Sequence, residues 1–189
     1  MEVLEEPQLA RHRVTADNLL RMTEIGVVAH DARVELIEGE VIDMAAMGTK
    51  HRAVVMRLSR LLERAVVDAA QVSVQLPIRL SDYNEPEPDL ALLKPRPDFY
   101  ESAIPSGYDS LLVIEVSDTT LAYDVRIKAP LYASHGVGEL WIVDVKARTL
   151  RCFRQPQPGG WADVVLLQSL GTMPLPGLPG LSVDLSSLF

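Results

Sequence analysis

Two carboxylates and a lysine stand out because of the residues around them. Asp89 opens the apolar stretch of EPDLALL, Glu115 lies inside LLVIEVS, and Lys128 follows in DVRIKAPLY. A charge enters an apolar strand at high cost unless it is paired or bound, so each acid needs a partner. Side chains alternate along a strand. Asp89, Ala91 and Leu93 therefore share one face, as do Leu111, Val113, Glu115 and Ser117. If the two strands are neighbours, the carboxylates converge, and the small Ala91 leaves room beside Asp89. One or two carboxylates, several waters and a substrate phosphate form the oxygen set that Mg²⁺ prefers. With an ammonium nearby, such a site suits a divalent metal and a phosphodiester.

Each residue also has a plainer reading. Asp89 follows Pro88, which suits a turn acid capping nearby backbone N–H groups. On an unbroken helix Asp124, Lys128 and Tyr132 would share one face, making Lys128 half of a surface ion pair of little worth. The functional alternative has Lys128 orienting an attacking water and stabilising developing negative charge. Glu35, between Val34 and Leu36, either extends the acidic cluster or faces water. His51 sits where a long helix begins, a place where surface or capping histidines are common. His12, His30 and His135 show no metal-ligand spacing with it. No GxxxxGK[ST] loop, GxGxxG or GxSxG pattern occurs.

The elements that must position these groups are legible in outline. Thr15 to Ile25 reads as a short helix with Thr15 as N-cap and Gly26 as stop. VELIEGEVIDM reads as two strands about Glu38-Gly39. From Thr49, the residues Val54, Leu58, Leu61, Leu62, Ala65 and Ala69 recur at helical spacing. VSVQLPIRL is a strand interrupted or ended at Pro77, and Asp89–Leu93 is the next. Residues 94–110 form a long irregular connection. Leu111–Ser117 is the most apolar strand and belongs at the centre of a sheet. A helix over 122–135 is kinked or started by Pro130. ELWIVDV and TLRCFRQ are strands, QPQPGG connects the second to WADVVLL, and a turn-rich tail runs along the surface. The order implies an α/β or α+β sandwich built on a mixed sheet.

Composition narrows the class. A chain of 189 residues that is 48% hydrophobic suits a single domain over 1–189, with a tail at 1–14 and an extension at 171–189. The net charge of −8 counts against a general nucleic-acid binder but not against a nuclease, since acids around a metal cease to be free charge. The lone Cys152 excludes an intramolecular disulfide and any multi-cysteine metal site. MEVLEEPQ lacks an apolar leader, and no run approaches the roughly 18 apolar residues of a membrane span. A cytoplasmic protein with no membrane partner is expected.

The succession VELIEGEVIDMAAMGTKH, EPDLALL, LLVIEVSDTT and YDVRIKAPLYASHGVGELWIVDV resembles the Uma-two family of restriction endonuclease-like proteins. That family belongs to the PD-(D/E)XK nuclease-like class. The resemblance runs from about Val34 to Val145 and is most specific in KAPLYASHGVGELWIVD. It implies a central mixed sheet flanked by helices and an Mg²⁺- or Mn²⁺-dependent site that cuts DNA. Asp89 matches the motif aspartate and Glu115 the (D/E) position, the two metal ligands. Where the strict pattern has lysine the chain has Ser117, so Lys128 would be the migrated substitute. Glu35 matches the upstream acid and His51 the histidine opening the long helix. A homodimer is expected, since two related sites cut a duplex most simply. The 94–110 connection and the 149–154 strand are candidate pairing surfaces. Ser117 and the acidic charge keep two alternatives open: a non-catalytic binding or assembly module on this fold, and a hydrolase of small phosphodiesters.

Overall fold

In the computed structural model, which describes residues 11–189, the order of elements follows the apolar periodicity closely. Helix α1 (Ala16–Glu24) starts at Thr15, whose hydroxyl accepts from the Asn18 N–H. Strands β1 (Val34–Ile37) and β2 (Glu40–Asp43) form a hairpin. Glu38 and Gly39 both have positive φ, 52° and 80°, the conformation that a tight two-residue hairpin turn requires. Helix α2 (Thr49–Val66) is followed by β3 (Gln71–Val74), β4 (Leu90–Leu93) and β5 (Ser110–Ser117). A single turn α3 (Leu121–Tyr123), a π-helical segment (Asp124–Lys128) and α4 (Ala129–Ser134) make one continuous helical stretch. Strands β6 (Leu140–Asp144), β7 (Thr149–Gln157), β8 (Gly160–Leu167), β9 (Thr172–Pro174) and β10 (Ser182–Asp184) complete the chain. Part of the expected tail, residues 1–10, lies outside the described residues.

The central sheet has six strands in the order β3-β4-β5-β6-β7-β8. Every neighbouring pair is antiparallel except β5–β6, which is parallel, so the expected mixed sheet is present. β5 sits inside the sheet and is buried at nearly every position, as its apolar run requires. Alternation along β4 and β5 splits the interior in two. Leu90, Leu92, Leu112 and Ile114 pack with Val54, Leu58 and Leu62 of α2. Ala91, Leu93 and Val113 pack on the other face with Ala129 and Tyr132 of the π/α4 stretch.

Three details depart from the sequence reading. QPQPGG is mostly strand: β7 runs to Gln157, β8 starts at Gly160, and Pro156 pairs with Trp161. Pairing of β7 with β6 ends at Phe153, so Pro156 lies beyond the reach of that neighbour and its missing N–H costs that ladder nothing. The C-terminal tail is no surface strap. β9 pairs with β10, and Met173, Leu175, Val183, Leu185 and Leu188 enter the α2 core, because its apolar residues are spaced to point inward between Pro and Gly turns. Strand β4 begins at Leu90, leaving Asp89 just outside its end. No described helix is long and apolar enough to cross a membrane.

Candidate active site

The β4–β5 register pairs Leu90 with Ile114, so one step outward Asp89 lies opposite Glu115. Both sit on the face that carries Ala91 and Val113, as alternation predicts. Asp89 Oδ2 accepts the Val116 N–H at 2.9 Å and faces His51 Nε2 at 3.0 Å. Its Oδ1 accepts from Gln75 Nε2 at 3.2 Å. Gln75 reaches it because the chain turns sharply after β3, with φ of 51°. An aspartate at the far side of its Nε2 makes that nitrogen the N–H bearer and leaves His51 Nδ1 buried without a partner. The turn-cap reading of Asp89 thus gives way to cross-strand and helix contacts.

Lys128 is 4% exposed, and so is Asp124, which removes the surface ion pair. Asp124, Lys128 and Tyr132 do share one face, as the spacing predicts, but that face is turned inward onto the sheet and the cavity rather than to solvent. Lys128 Nζ instead stands 2.8 Å from Glu35 Oε2 and 3.1 Å from Glu115 Oε1. The Glu35 contact is one of charge, since its angle is not that of a hydrogen bond, whereas the Glu115 contact is aligned. Tyr132, one turn beyond Lys128, donates to the same Glu115 oxygen at 2.7 Å. Pro130 lies inside the continuous helical stretch just after the π segment, so its missing N–H leaves one carbonyl of that widened turn without a helical donor. Ser117, at the usual lysine position, donates to Asp124 Oδ2 at 2.6 Å, and Thr120 donates to the same atom at 2.7 Å.

The electrostatics follow from burial. Burial pushes the Glu115 carboxyl up to about 8, against the opposing pull of Lys128. For Lys128 burial disfavours the charge, but Glu115, Glu35 and Asp124 outweigh it and raise its pKa. Burial, then the charge of Glu115, lifts Tyr132 well above the usual phenol range. Tyr123 is pushed up to about 12 by burial and by Glu35, and its hydroxyl is buried without a partner.

These groups surround a cavity of about 320 Å³ lined by Glu35, His51, Asp89, Glu115, Asp124 and Lys128, among others. The structure thus brings all five sequence candidates together. Among the described residues, no three of His, Cys, Asp and Glu stand close enough to hold a metal by themselves. Lys128 separates Glu35 from Glu115, and His51 and Gln75 occupy Asp89. The pair Asp89 and Glu115 nonetheless fits a hard cation that keeps most of its waters: both are carboxylates, and the bonds to Glu115 fall on Oε1. Asp124 and Tyr132, which spacing aligned with Lys128 only as a surface face, and Gln75 and Tyr123, which the sequence reading did not single out, join these groups. Tyr132 had a signal, four residues after Lys128; Gln75 had none.

No curated protein matches the chain. Among solved structures, a crystal structure described as "a putative nuclease belonging to DUF820" from Anabaena variabilis aligns with a TM-score of 0.71 at 20% identity. The alignment covers 93% of this chain and 97% of that one, which establishes a shared fold. The model of the Uma2 family, described as "Putative restriction endonuclease", matches residues 16–186. With nearly the whole described chain covered, and with the mixed sheet, the helices on both faces and the clustered acids in place, this protein belongs to the Uma2 family.

Proposed function

We propose that the protein is an Mg²⁺- or Mn²⁺-dependent endonuclease that hydrolyses DNA phosphodiester bonds. The observation that carries the reading is the convergence of Asp89, at the end of β4, and Glu115, on the paired strand β5, on a cavity with Lys128 behind them. Asp89 and Glu115 would hold the cation. That ion supplies an activated water and neutralises phosphate charge. Asp89 is fixed by the Val116 N–H and by Gln75, so its geometry is set before substrate arrives. Glu115 must release its proton to act as a ligand, and Tyr132 orients it. Lys128, with its raised pKa, remains an ammonium and works by charge rather than as a base. One of its N–H groups donates to Glu115 while Glu35 stands beside it as a charge, which leaves donor capacity for water or a phosphate oxygen. Glu35 holds Lys128 in place, and His51 does the same for Asp89. The enzyme would act in the cytoplasm as a homodimer with one site per protomer.

Plasmid cleavage with Mg²⁺ or Mn²⁺, compared across wild type, Asp89→Ala and Glu115→Ala, tests this. Cleavage unchanged in both variants would sink the assignment. A specific observation favours a second reading, a non-catalytic module on the same fold: Ser117 is locked to Asp124 and Lys128 is held between two glutamates. That reading predicts no heat on titration with Mn²⁺ and no cleavage of any nucleic acid. A chromogenic phosphodiester separates the third alternative, a small-phosphodiester hydrolase.

A further inference from the structure

The chain's acidity hides a concentrated positive surface. Helix α2 carries five of the eighteen Lys and Arg residues (Lys50, Arg52, Arg57, Arg60 and Arg64) and one of the twenty-six acids, Glu63. All five cations are exposed. At 3.6 residues per turn, Lys50, Arg57, Arg60 and Arg64 fall within an arc of about 80°, and at 1.5 Å per residue they extend over about 21 Å. Among the described residues none of the five forms an ion pair; Arg13, Arg21, Lys94, Arg126, Arg148 and Arg151 also form none, but only on α2 are five such cations gathered on one element. Arg57 also donates to the Leu188 carbonyl at 3.1 Å.

Helix stability does not account for this arrangement. Arg57 and Arg60 are three residues apart and Arg60 and Arg64 four, spacings at which like charges repel. Lys50 and Arg52 occupy the first turn, which holds no acid, so they oppose the helix dipole. A solvated face would mix signs and place its acids first. Here the cations stay unpaired in a chain with a surplus of carboxylates, which makes them available to an anion from outside. The stripe ends at the cavity: Gly48, the residue before α2, and His51, the neighbour of Lys50, both line it.

We propose that the exposed face of α2 is the track for the phosphate backbone of the nucleic acid and leads it to the Asp89–Glu115 cavity. The spacing suits it, since a strand presents a phosphate about every 3.4 Å of axis and a stripe of this length spans several. The choice of nucleic acid over another anion rests on the nuclease reading above. The choice of this face rests on charge alone, so the two can fail separately.

The test is fluorescence anisotropy of a labelled DNA duplex with Ca²⁺ in place of the cleaving metal, as a function of salt, alongside cleavage with Mg²⁺. Each phosphate contact contributes about 0.9 to the slope of log affinity against log salt. Arg60→Ala/Arg64→Ala should lower the slope by about 2, raise KM, and leave kcat at saturating DNA unchanged. Arg60→Lys/Arg64→Lys should keep the wild-type slope, as should Arg21→Ala, which removes an exposed cation from α1. Thermal stability of the alanine pair should equal or exceed wild type, because a repulsion is removed. Salt-dependent binding by wild type that is weakened in the alanine pair, with no cleavage by either, would support the track and refute the nuclease. Cleavage by wild type with the same slope in both proteins would overturn the track and leave the nuclease standing. Absence of duplex binding, or stronger binding to anionic vesicles, would overturn it as well.

Discussion

Replacing Lys128 by Met keeps most of the side chain's volume and removes its charge. What remains is Glu35 beside Glu115, both 4% exposed, with no counter-charge between them. At an effective dielectric constant of about 20, the attraction to Glu35 across 2.8 Å is about 6 kcal/mol in gross terms, while Glu115, pushed up to about 8, is largely protonated at pH 7 and contributes a hydrogen bond rather than a second full charge. Much of that is offset in wild type by the desolvation of the ammonium itself, so the net loss is set by how the stranded carboxyls respond. They respond by taking up protons. Forcing a proton at pH 7 onto a glutamate that ordinarily titrates at 4.5 costs about 3.4 kcal/mol. Glu115, pushed up to about 8, already carries most of this cost in wild type. We therefore expect a loss of about 3–5 kcal/mol at pH 7, the range seen when one partner of a buried pair is removed. The loss should shrink by about 1.4 kcal/mol for each pH unit below 7, per proton taken up. Urea unfolding of wild type and Lys128→Met at pH 7 and pH 5 measures both quantities. Lys128→Met/Glu35→Gln/Glu115→Gln should regain most of the stability. A loss below about 1 kcal/mol at pH 7, or one equally large at pH 5, would refute the buried-triad account.

Three further outcomes follow from the same geometry. Asp89→Asn would turn an NH₂ group toward either the Val116 N–H or the Gln75 amide, costing about 1–3 kcal/mol in chemical unfolding and abolishing Mg²⁺-dependent cleavage. Because the folded pKa of Glu115 is raised, its contribution to stability is complete below about 4.5 and is lost as pH rises through about 8. Glu115→Gln should therefore flatten wild-type unfolding free energy over that window, and calorimetric Mn²⁺ affinity of wild type should climb about tenfold per pH unit up to 8. Ser117→Lys should restore part of the cleavage lost in Lys128→Met, since Ser117 lies on the Glu115 face and touches Asp124; a fully inactive double variant that folds would count against the migrated lysine.

What the sequence revealed about this site depended on how each residue is positioned. Asp89 and Glu115 were legible because strand alternation is rigid: one periodicity places both on a face, and Asp89 lies one step beyond the Leu90–Ile114 pair. The β1–β2 hairpin was legible from Glu38-Gly39, which supplies the positive φ values. Lys128 was half legible. Its type and neighbours were informative and the spacing put Asp124, Lys128 and Tyr132 on one face, but nothing local announced that this face is buried or that Glu35 and Glu115 take the ammonium. His51 and Glu35 could not be assigned from their own elements, since their partners stand 38 and 93 positions away. Gln75 reaches Asp89 only through a backbone turn that no motif encodes. In the tail, Pro and Gly suggested surface, while the apolar residues between them supplied the larger free energy and went inside.

The π-helical segment at Asp124–Lys128 sets how this site can vary. A π turn holds one more residue than the α-helix would and absorbs it locally by widening, so the helix on either side keeps its phase. Deleting one residue between Asp124 and Lys128 would let the segment relax to α-helix with both flanks in register, so that Lys128 and Tyr132 still face Glu115. Adding a residue to the already widened turn has no such outlet and would rotate one flank about 100° against the other. The stretch is thus tolerant of losing one residue and intolerant of gaining one.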